Sequence, residues 1–304
     1  MSVYHSQCCV APSVSSGGLR TVYLQSPADF WAFSDLNDNR MQSPASPSLF
    51  FGRAAHALLL GDEDFEGNFA VVPSDAPRAP TQAQINARDE GRVSDTARRS
   101  FEFWDSFNIE HEGKDFITES ELGIIRDMSF ALSENPIMSL LFEGEAEKSF
   151  IWRDDKTGLY LKSRLDMLCA TGDLADLKTT SVRSPDRLSA EIRSHGYDMQ
   201  FALATVGLEE LKGIPFEADY YQGRACIVVF ICKKPPYHIM PVEIDFDALY
   251  WARLKCRAAI DTIAQCINDD YWPGPVQGIR PYSDGGESER LAELQRQGLL
   301  PSFY

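Results

Sequence analysis

Two aspartates and a lysine lie on either side of a short turn near the middle of the chain: Asp166, Asp176 and Lys178. Carboxylate oxygens are suitable ligands for a hard divalent cation such as Mg²⁺. A lysine ammonium beside such a cation can orient a water molecule or neutralise the charge that builds on a phosphate oxygen. Together the three residues have the chemistry of metal-dependent phosphodiester hydrolysis. The alternative is a surface hairpin with ordinary charged residues, since D-x-K triplets are common.

The stretch that carries these residues has the pattern of a β-hairpin. Apolar and polar residues alternate on both sides of Ala170-Thr171-Gly172, as two antiparallel strands require. The glycine supplies the left-handed residue of a three-residue loop. With that loop, residues whose numbers sum to 342 face each other, so Asp166 lies opposite Asp176 and, on the same face, Arg164 opposite Lys178. Like charges directly opposite destabilise a sheet, so the pattern predicts a cation between the two aspartates.

The composition is that of a folded, acidic protein. The chain has 304 residues, 44% of them apolar, and a formal charge of −16, which allows one large domain or two small ones. The charge argues against nonspecific nucleic-acid binding by the whole surface, so a polyanionic partner needs a local basic patch. A solvated mixed-charge surface fits the same pattern. The basic residues around the hairpin are Lys148, Arg153, Lys156, Lys162, Arg164, Lys178, Arg183, Arg187 and Arg193.

Cysteine usage and hydropathy predict a soluble, cytoplasmic protein. The seven cysteines are scattered and include no C-x-x-C pair, which disfavours structural zinc and iron–sulfur clusters. No leader pattern and no apolar run of membrane-spanning length is found. The absence of G-x-x-x-x-G-K-[ST] disfavours motor activity, so a helicase partner would be another chain.

Helix and strand signals surround the hairpin. Ser26-Pro27 and Ser46-Pro47 are typical helix starts, and Gly61 is a typical stop. Gly52 lies one turn from His56, where a glycine would let another backbone approach. The predicted helices are one beginning near Ser15 or Ser16 and those at 27–33, 47–60, 118–133, 185–193, 196–211, 246–268 and 286–297. The predicted strands are 147–152, 159–169, 173–180, 224–233 and 237–244.

Residues 62–117 differ from this pattern. They are polar and interrupted by Pro73, Pro77 and Pro80, with Gln- and Arg-rich helical stretches that show no clean apolar stripe. The segment is therefore predicted to be an exposed, mobile excursion from the core.

Several motifs occur in one order along the chain. They are Gly52 and His56 on a helix, Glu147 before a strand, Arg164-Leu-Asp166 followed by Asp176-Leu-Lys178, and Tyr197 with Gln200 on the next helix. This order resembles the PD-(D/E)xK nuclease superfamily in its RecB-like branch, most closely the nuclease domain of exonuclease VIII and related phage and prophage proteins. The resemblance covers about residues 12–275.

The resemblance implies an α/β, restriction-endonuclease-like fold with a mixed central sheet flanked by helices. One nuclease domain would span 1–304. Its parts would be an N-terminal helical segment at 12–61, the polar insertion at 62–117, the nuclease core at 118–275 and a C-terminal tail at 276–304.

The resemblance also implies roles for individual residues. Asp166 and Asp176 would bind Mg²⁺ or Mn²⁺ with His56 and the carbonyl of Leu177, and Lys178 would assist catalysis. Glu147 would complete a second metal position or position the attacking water. The alternatives for these side chains are a buried, hydrogen-bonded histidine and a solvated strand-end acid. Four further residues would contact phosphate or support the site: Gln200, Tyr197, Arg53 and Arg164.

These features favour a metal-dependent exonuclease that attacks the scissile phosphate in line with water. The resemblance adds linear duplex DNA as substrate, 5′ to 3′ polarity, a role in phage-type recombination, a ring-like homo-oligomer and a single-strand annealing protein as partner. The alternatives are a DNA-binding or assembly module without turnover, an endonuclease, and a sugar-nucleotide hydrolase with the same carboxylate chemistry.

Overall fold

A mixed β-sheet flanked by helices forms the centre of the structure. The computed structural model describes residues 7–42, 46–61, 65–141, 143–213, 224–279 and 286–297. Within these residues the central sheet has six strands and a second sheet has two. The central strands are β1 (Ser13–Ser15), β4 (Gly144–Arg153), β5 (Tyr160–Cys169), β6 (Leu174–Thr180), β7 (Cys226–Cys232) and β8 (Ile239–Glu243). The second sheet pairs β2 (Phe69–Val72) with β3 (Asp115–Thr118) in parallel.

Helices cover both faces of the central sheet. Those in the N-terminal half are α1 (Ser16–Leu24), α2 (Pro27–Phe33), α3 (Pro47–Leu60), α4 (Phe65–Asn68), α5 (Gln82–Asp89), α6 (Asp95–Glu110), α7 (Glu119–Ser133) and α8 (Pro136–Leu141). A 3₁₀ turn at Pro185–Arg187 precedes those in the C-terminal half, which are α9 (Leu188–His195), α10 (Tyr197–Lys212), α11 (Phe246–Asp269) and α12 (Glu287–Arg296). The predicted α/β class is confirmed.

The helix ends follow from local sequence. Helix α3 spans the predicted residues, with Pro47 in its first turn and Gly61 in the left-handed conformation at its end, φ 68°. The side chain of Ser26 accepts a hydrogen bond from the backbone of Asp29, which caps α2. These capping signals involve only neighbouring residues, so the sequence is sufficient to place them.

Strand β5 exchanges partners along one of its edges. Strand β4 runs antiparallel along the opposite edge. On the first edge, β6 pairs at only two positions, Met167 with Ala175 and Leu168 with Leu174. The parallel strand β1 occupies the same edge at residues 160–162. Strand β6 therefore leaves β5 after a short ladder and continues beside β7 in parallel.

This exchange confirms one part of the hairpin prediction and corrects another. Both observed pairs sum to 342, and Gly172 has the expected positive φ of 91°. The facing of Asp166 with Asp176, and of Arg164 with Lys178, is wrong as strand pairing, because the ladder ends before these positions. Local turn chemistry sets the register, but β6 leaves β5 after two pairs and runs beside β7, and β1 occupies the same edge of β5 further along, at residues 160–162.

Two hydrophobic cores lie on opposite faces of the central sheet. Val228 and Phe230 of β7 belong to the first, with buried residues of α1, α10 and α11. Val229 and Ile231 alternate with them and belong to the second, with buried residues of α3 and α7. Because β7 is buried on both faces, it is a continuous apolar run, as expected for a strand with a parallel neighbour.

The helical stretches predicted in this segment are observed as α5 and α6, but the prediction that it is an exposed excursion from the core is wrong, because Phe69 and Ile117 pack in the second core. Residues 65–117 include α4, α5, α6 and the parallel pair β2 and β3. A small core joins them, in which Ala70 and Val72 of β2 pack with Phe107 of α6. Polar residues separate the aromatic residues of α6 in the sequence, so no apolar stripe was apparent. The two strands that α6 packs against lie far from each other in sequence. Residues 62–64 of the predicted excursion lie outside the described residues.

Five cysteines pack as small apolar side chains. Cys169, Cys226, Cys232, Cys256 and Cys266 are buried free thiols. Burial raises the pKa of Cys256 to about 12, so its thiol is unreactive at neutral pH.

None of the described helices combines the length and apolarity needed to cross a membrane.

A buried ion pair ties the turn after β4 to α11. Asp154 is 8% exposed and accepts hydrogen bonds from the guanidinium of Arg257, at 3.1 Å for Nη1, and from the hydroxyl of Thr157, at 2.6 Å. Burial raises the pKa of Asp154, but Arg257 and Thr157 outweigh burial and lower it to about 2.

This lowered pKa predicts acid sensitivity at Asp154. A depressed carboxyl pKa contributes stability above the ordinary value, and this contribution is lost as pH falls through the folded-state value, here about 2. Asp154→Asn should therefore cost about 2 kcal/mol at neutral pH, a difference that shrinks between about pH 4 and pH 2. Urea unfolding across this range measures it, with the exposed neighbour Asp155→Asn as control. A pH-independent difference would contradict the assignment.

Candidate active site

A cleft of about 590 Å³ lies at the edge of the central sheet, between α3 and α10. Its walls include His56 from α3, Glu147 from β4, Lys178 from β6 and Tyr197 from the first turn of α10. Each of these residues was singled out in the sequence. Four separate elements thus bring chemically active side chains to one cleft.

Three potential metal ligands converge in this cleft. One ligand atom from each of His56, Glu147 and Asp166 lies within 4.8 Å of the others. His56 Nδ1 is 3.5 Å from Asp166 Oδ2. His56 is near Asp166 because the buried face of α3, which contributes to the second core, packs against the sheet. Two carboxylates and an imidazole at this spacing form a possible site for a divalent cation.

The local conformation of Glu147 brings it to this group. In the register of the β4–β5 ladder, Glu147 lies opposite Asp166. These two residues do not pair, although their neighbours on both sides do. Glu147 has a φ of 50°, in the left-handed region that disfavours residues with a Cβ. Residues two apart on a strand normally point to the same face of the sheet. At this point of β5 they do not, since Leu165 packs in the first core and Met167 in the second. Strained backbone of this kind is often found at functional sites.

The sequence did not reveal this place for Glu147. It was expected to complete a second metal position or to position water, whereas the structure groups it directly with His56 and Asp166. The signal in the sequence was an acid near a strand start, which has many ordinary explanations. The left-handed residue and the facing strand are tertiary features.

Asp176 lies beside this group rather than within it. It is 1% exposed, and its Oδ1 accepts a hydrogen bond from Gln200 Nε2 at 2.6 Å. Its Oδ2 forms an ion pair with Lys178 but receives no hydrogen bond of normal geometry from the described residues. Burial, and then the charge of Asp166, raise the pKa of Asp176. This buried oxygen therefore has unused capacity to accept a hydrogen bond or bind a cation.

Lys178 supplies part of that positive charge. Burial lowers its pKa, but Asp176 and Asp166 outweigh burial, and the pKa of Lys178 is raised. Its ammonium lies 5.3 Å from the centre of the Tyr197 ring, a favourable cation–π distance. Burial in turn raises the pKa of the Tyr197 hydroxyl. The lysine is held in its charged form at the cleft wall.

Backbone and amide groups fix the two aspartates. The N–H of Leu177 donates to Asp166 Oδ2 at 2.6 Å, so β6 holds the β5 aspartate where the ladder has ended. Gln200 holds Asp176 from α10. The sequence placed Leu177 and Gln200 at the site, but the contact made by the Leu177 N–H depends on the separation of the strands.

The two arginines expected at phosphate are paired with acids. Arg53 lines the cleft and forms an ion pair with Asp115 of β3, whereas Arg164 pairs with Glu147. Gly52 has no atom within 4 Å of the position of an added Cβ. The prediction that Gly52 admits another backbone is therefore wrong, and this glycine instead keeps the cleft open.

The donor set suits the divalent cation that the sequence implies. Carboxylate oxygens predominate, as Mg²⁺ and Mn²⁺ prefer, and one imidazole is compatible with Mn²⁺. The buried Asp176 Oδ2 adds negative charge that Lys178 alone must balance. The residues present therefore fit such an ion.

The left-handed backbone at Glu147 predicts an unusual order of stabilities. Glu147→Gly should be more stable than Glu147→Ala by about 1 kcal/mol, because only glycine adopts a positive φ without strain. Both variants remove the carboxylate and should lose metal-dependent cleavage. The matched pair Glu145→Gly and Glu145→Ala, at an ordinary strand position, should show the reverse order. Urea unfolding decides, and equal stability of the two Glu147 variants would contradict the strained conformation.

Comparison with known proteins gives one solved structure of similar fold and one family. A search of curated proteins finds no match to the chain. Among solved structures, a "Putative exonuclease" from Eubacterium rectale has a TM-score of 0.50 at 12% identity, with 94% of each chain covered. This level of identity shows similarity of fold alone. The structure of a protein designated SSO0001 has 14% identity and a TM-score of 0.26, with 70% of this chain and 86% of that chain covered. A TM-score this low supports no inference.

A family model provides the firmer assignment. The model of the PDDEXK-like domain of unknown function (DUF3799) matches residues 22–280. This range contains β4 to β7, α3 and every ligand candidate described above. The chain belongs to this PDDEXK-like family, and thus to the PD-(D/E)xK nuclease superfamily.

Proposed function

We propose that this protein is a metal-dependent exodeoxyribonuclease that hydrolyses the phosphodiester bonds of linear duplex DNA. The observation that carries the proposal is the convergence of His56, Glu147 and Asp166 beside the buried pair of Asp176 and Lys178. An ordinary surface hairpin has no need to bury two carboxylates beside a half-buried lysine. Membership of a nuclease superfamily supports phosphodiester hydrolysis as the reaction class.

The site would hold one or more Mg²⁺ or Mn²⁺ ions through His56, Glu147 and Asp166, with Asp176 and the Leu177 carbonyl as further ligand candidates. A bound cation of this kind polarises a phosphoryl oxygen and lowers the pKa of water. The chain's own residues prepare the site for it. Their negative charge attracts the ion, and their fixed positions limit the reorganisation that binding requires.

Lys178 and its neighbours have separate roles. Lys178 lies at the cleft wall with a retained charge, where it neutralises negative charge that builds on the phosphate. Gln200 orients Asp176, and Arg164 orients Glu147 through an ion pair. Tyr197 supports the lysine stem and ammonium. Arg53, although paired with Asp115, is exposed enough at 44% to contact an incoming phosphate as well.

The finer features of the proposal follow the resemblance stated in the sequence analysis. They are 5′ to 3′ polarity, a role in phage-type recombination or DNA processing, a ring-like homo-oligomer, a single-strand annealing partner and one nuclease domain over 1–304. Light scattering after size-exclusion chromatography tests the assembly. A strict monomer at micromolar concentration would contradict a ring.

Incubation with matched DNA substrates tests the function. Linear and covalently closed circular duplexes, each with Mg²⁺, Mn²⁺ or EDTA, should show metal-dependent loss of the linear form alone. Duplexes labelled at the 5′ or the 3′ end then report polarity from the first labelled product. Cleavage of the circle would indicate an endonuclease. Binding in EDTA with no cleavage in either metal would indicate a module without turnover.

A further inference from the structure

A lysine that the sequence analysis did not single out lies in the same cleft. Lys233 directly follows β7, and its N–H donates to the carbonyl of Thr180 at 2.9 Å. This bond fixes its backbone beside the end of β6. The side chain is half-buried, with its ammonium 5.7 Å from the centre of the Phe51 ring. Among the described residues, no carboxylate lies within ion-pair distance of it.

Three other cations at the site each have an acidic partner. Arg53 is paired with Asp115, Arg164 with Glu147 and Lys178 with Asp176. Lys233 is different because its contact is an aromatic ring, which steadies an ammonium without neutralising it. In a chain with a formal charge of −16, an ammonium kept apart from carboxylates inside a cleft is available to an anion that enters from outside.

The position of Lys233 indicates which part of a substrate it would meet. Phe230 is the strand partner of Lys178, and Lys233 lies three residues further along. At the usual strand rise this separates the two lysine backbones by about 10 Å along the sheet. The two side chains approach the cleft from different sides, Lys178 beside Tyr197 of α10 and Lys233 beside Phe51 of α3. A phosphate that reaches Lys233 would thus be a different one, close along the strand to the one beside Lys178.

We propose that Lys233 binds a backbone phosphate adjacent to the scissile phosphate and so positions the DNA strand in the cleft. This inference rests on the proposed function and adds a substrate-binding residue to it. Lysine suits the role because its ammonium is a point charge that tolerates varied phosphate orientations. The contact is independent of base identity, as expected for a nuclease that proceeds along DNA.

Three variants test the inference. Lys233→Gln removes the charge, Lys233→Arg retains it, and Lys234→Gln makes the same charge change at the exposed neighbouring position. The dissociation constant for linear duplex is measured in EDTA over a range of salt concentrations, and KM and kcat in Mg²⁺. Lys233→Gln should bind about fivefold more weakly, with the salt slope of log K reduced by about 1. KM should rise while kcat at saturating DNA is maintained, Lys233→Arg should be close to wild type, and Lys234→Gln should be unchanged.

Two results would overturn the inference alone. The first is an active wild type with an unaltered salt slope in Lys233→Gln. The second is an equal loss in Lys233→Gln and Lys234→Gln, which would show that overall charge, rather than a contact in the cleft, governs binding. A wild-type protein that neither binds nor cleaves linear DNA would overturn the proposed function, and this inference with it.

Discussion

Replacing Asp166 by asparagine should lower metal-dependent cleavage of linear duplex DNA by about a thousandfold, or about 4 kcal/mol in the activation barrier. Asp166 contacts two other elements of the site. Its Oδ2 accepts a hydrogen bond from the Leu177 N–H of β6 and lies 3.5 Å from His56 Nδ1 of α3. Asparagine retains an acceptor oxygen for Leu177 but removes the charge that a divalent cation requires. The loss should therefore occur with little change in the free energy of unfolding.

Two measurements separate the loss of chemistry from a loss of structure. Nucleotide release from linear duplex gives kcat/KM, and thermal unfolding with and without Mn²⁺ reports both fold and ion binding. The wild type should be stabilised by Mn²⁺, whereas Asp166→Asn should not. Asp155→Asn, at the other end of the β4–β5 hairpin, is the matched control and should behave as wild type. Retention of more than about a tenth of the activity by Asp166→Asn would show that the metal site lies elsewhere.

Replacing Lys178 by methionine should abolish cleavage and also destabilise the fold by about 3 kcal/mol. Methionine fills a similar volume but leaves Asp176, 1% exposed, without its cationic partner. A buried carboxylate without a counter-charge is costly. The sequence alone predicts that alanine at this lysine leaves the fold intact; the burial of the pair predicts a stability loss as well.

A double variant distinguishes the two effects of Lys178. Asp176→Asn together with Lys178→Met removes both charges, so most of the lost stability should return while cleavage stays absent. Urea unfolding of the wild type, both single variants and the double variant gives the coupling energy. Additive losses would show that the pair is not coupled in solution. Cleavage by Lys178→Met at the wild-type rate would exclude the proposed role of the lysine.

The part of the site that follows from sequence is the part encoded by near neighbours. The three-residue loop with Gly172 set the register of Met167 with Ala175, and it also put Asp166 and Asp176 at equal distances from the turn. The spacing of Tyr197 and Gln200 puts both side chains on one face of a helix, although the contact of Gln200 with Asp176 is tertiary. Turn and helix geometry depend on residues a few positions apart, which a sequence displays directly.

The part that the sequence left open depends on residues far apart in the chain. Strand β6 leaves β5 after two pairs to run beside β7, and Glu147, in the left-handed conformation, lies close to Asp166 and His56. The same holds for the parallel pair β2 and β3, which orders a segment that has no local signal strong enough to predict it. The sequence by itself determined which residues are available for metal and phosphate chemistry. Only the tertiary structure decided which of them lie close enough to share an ion, because strand exchange and backbone strain arise from packing between distant segments.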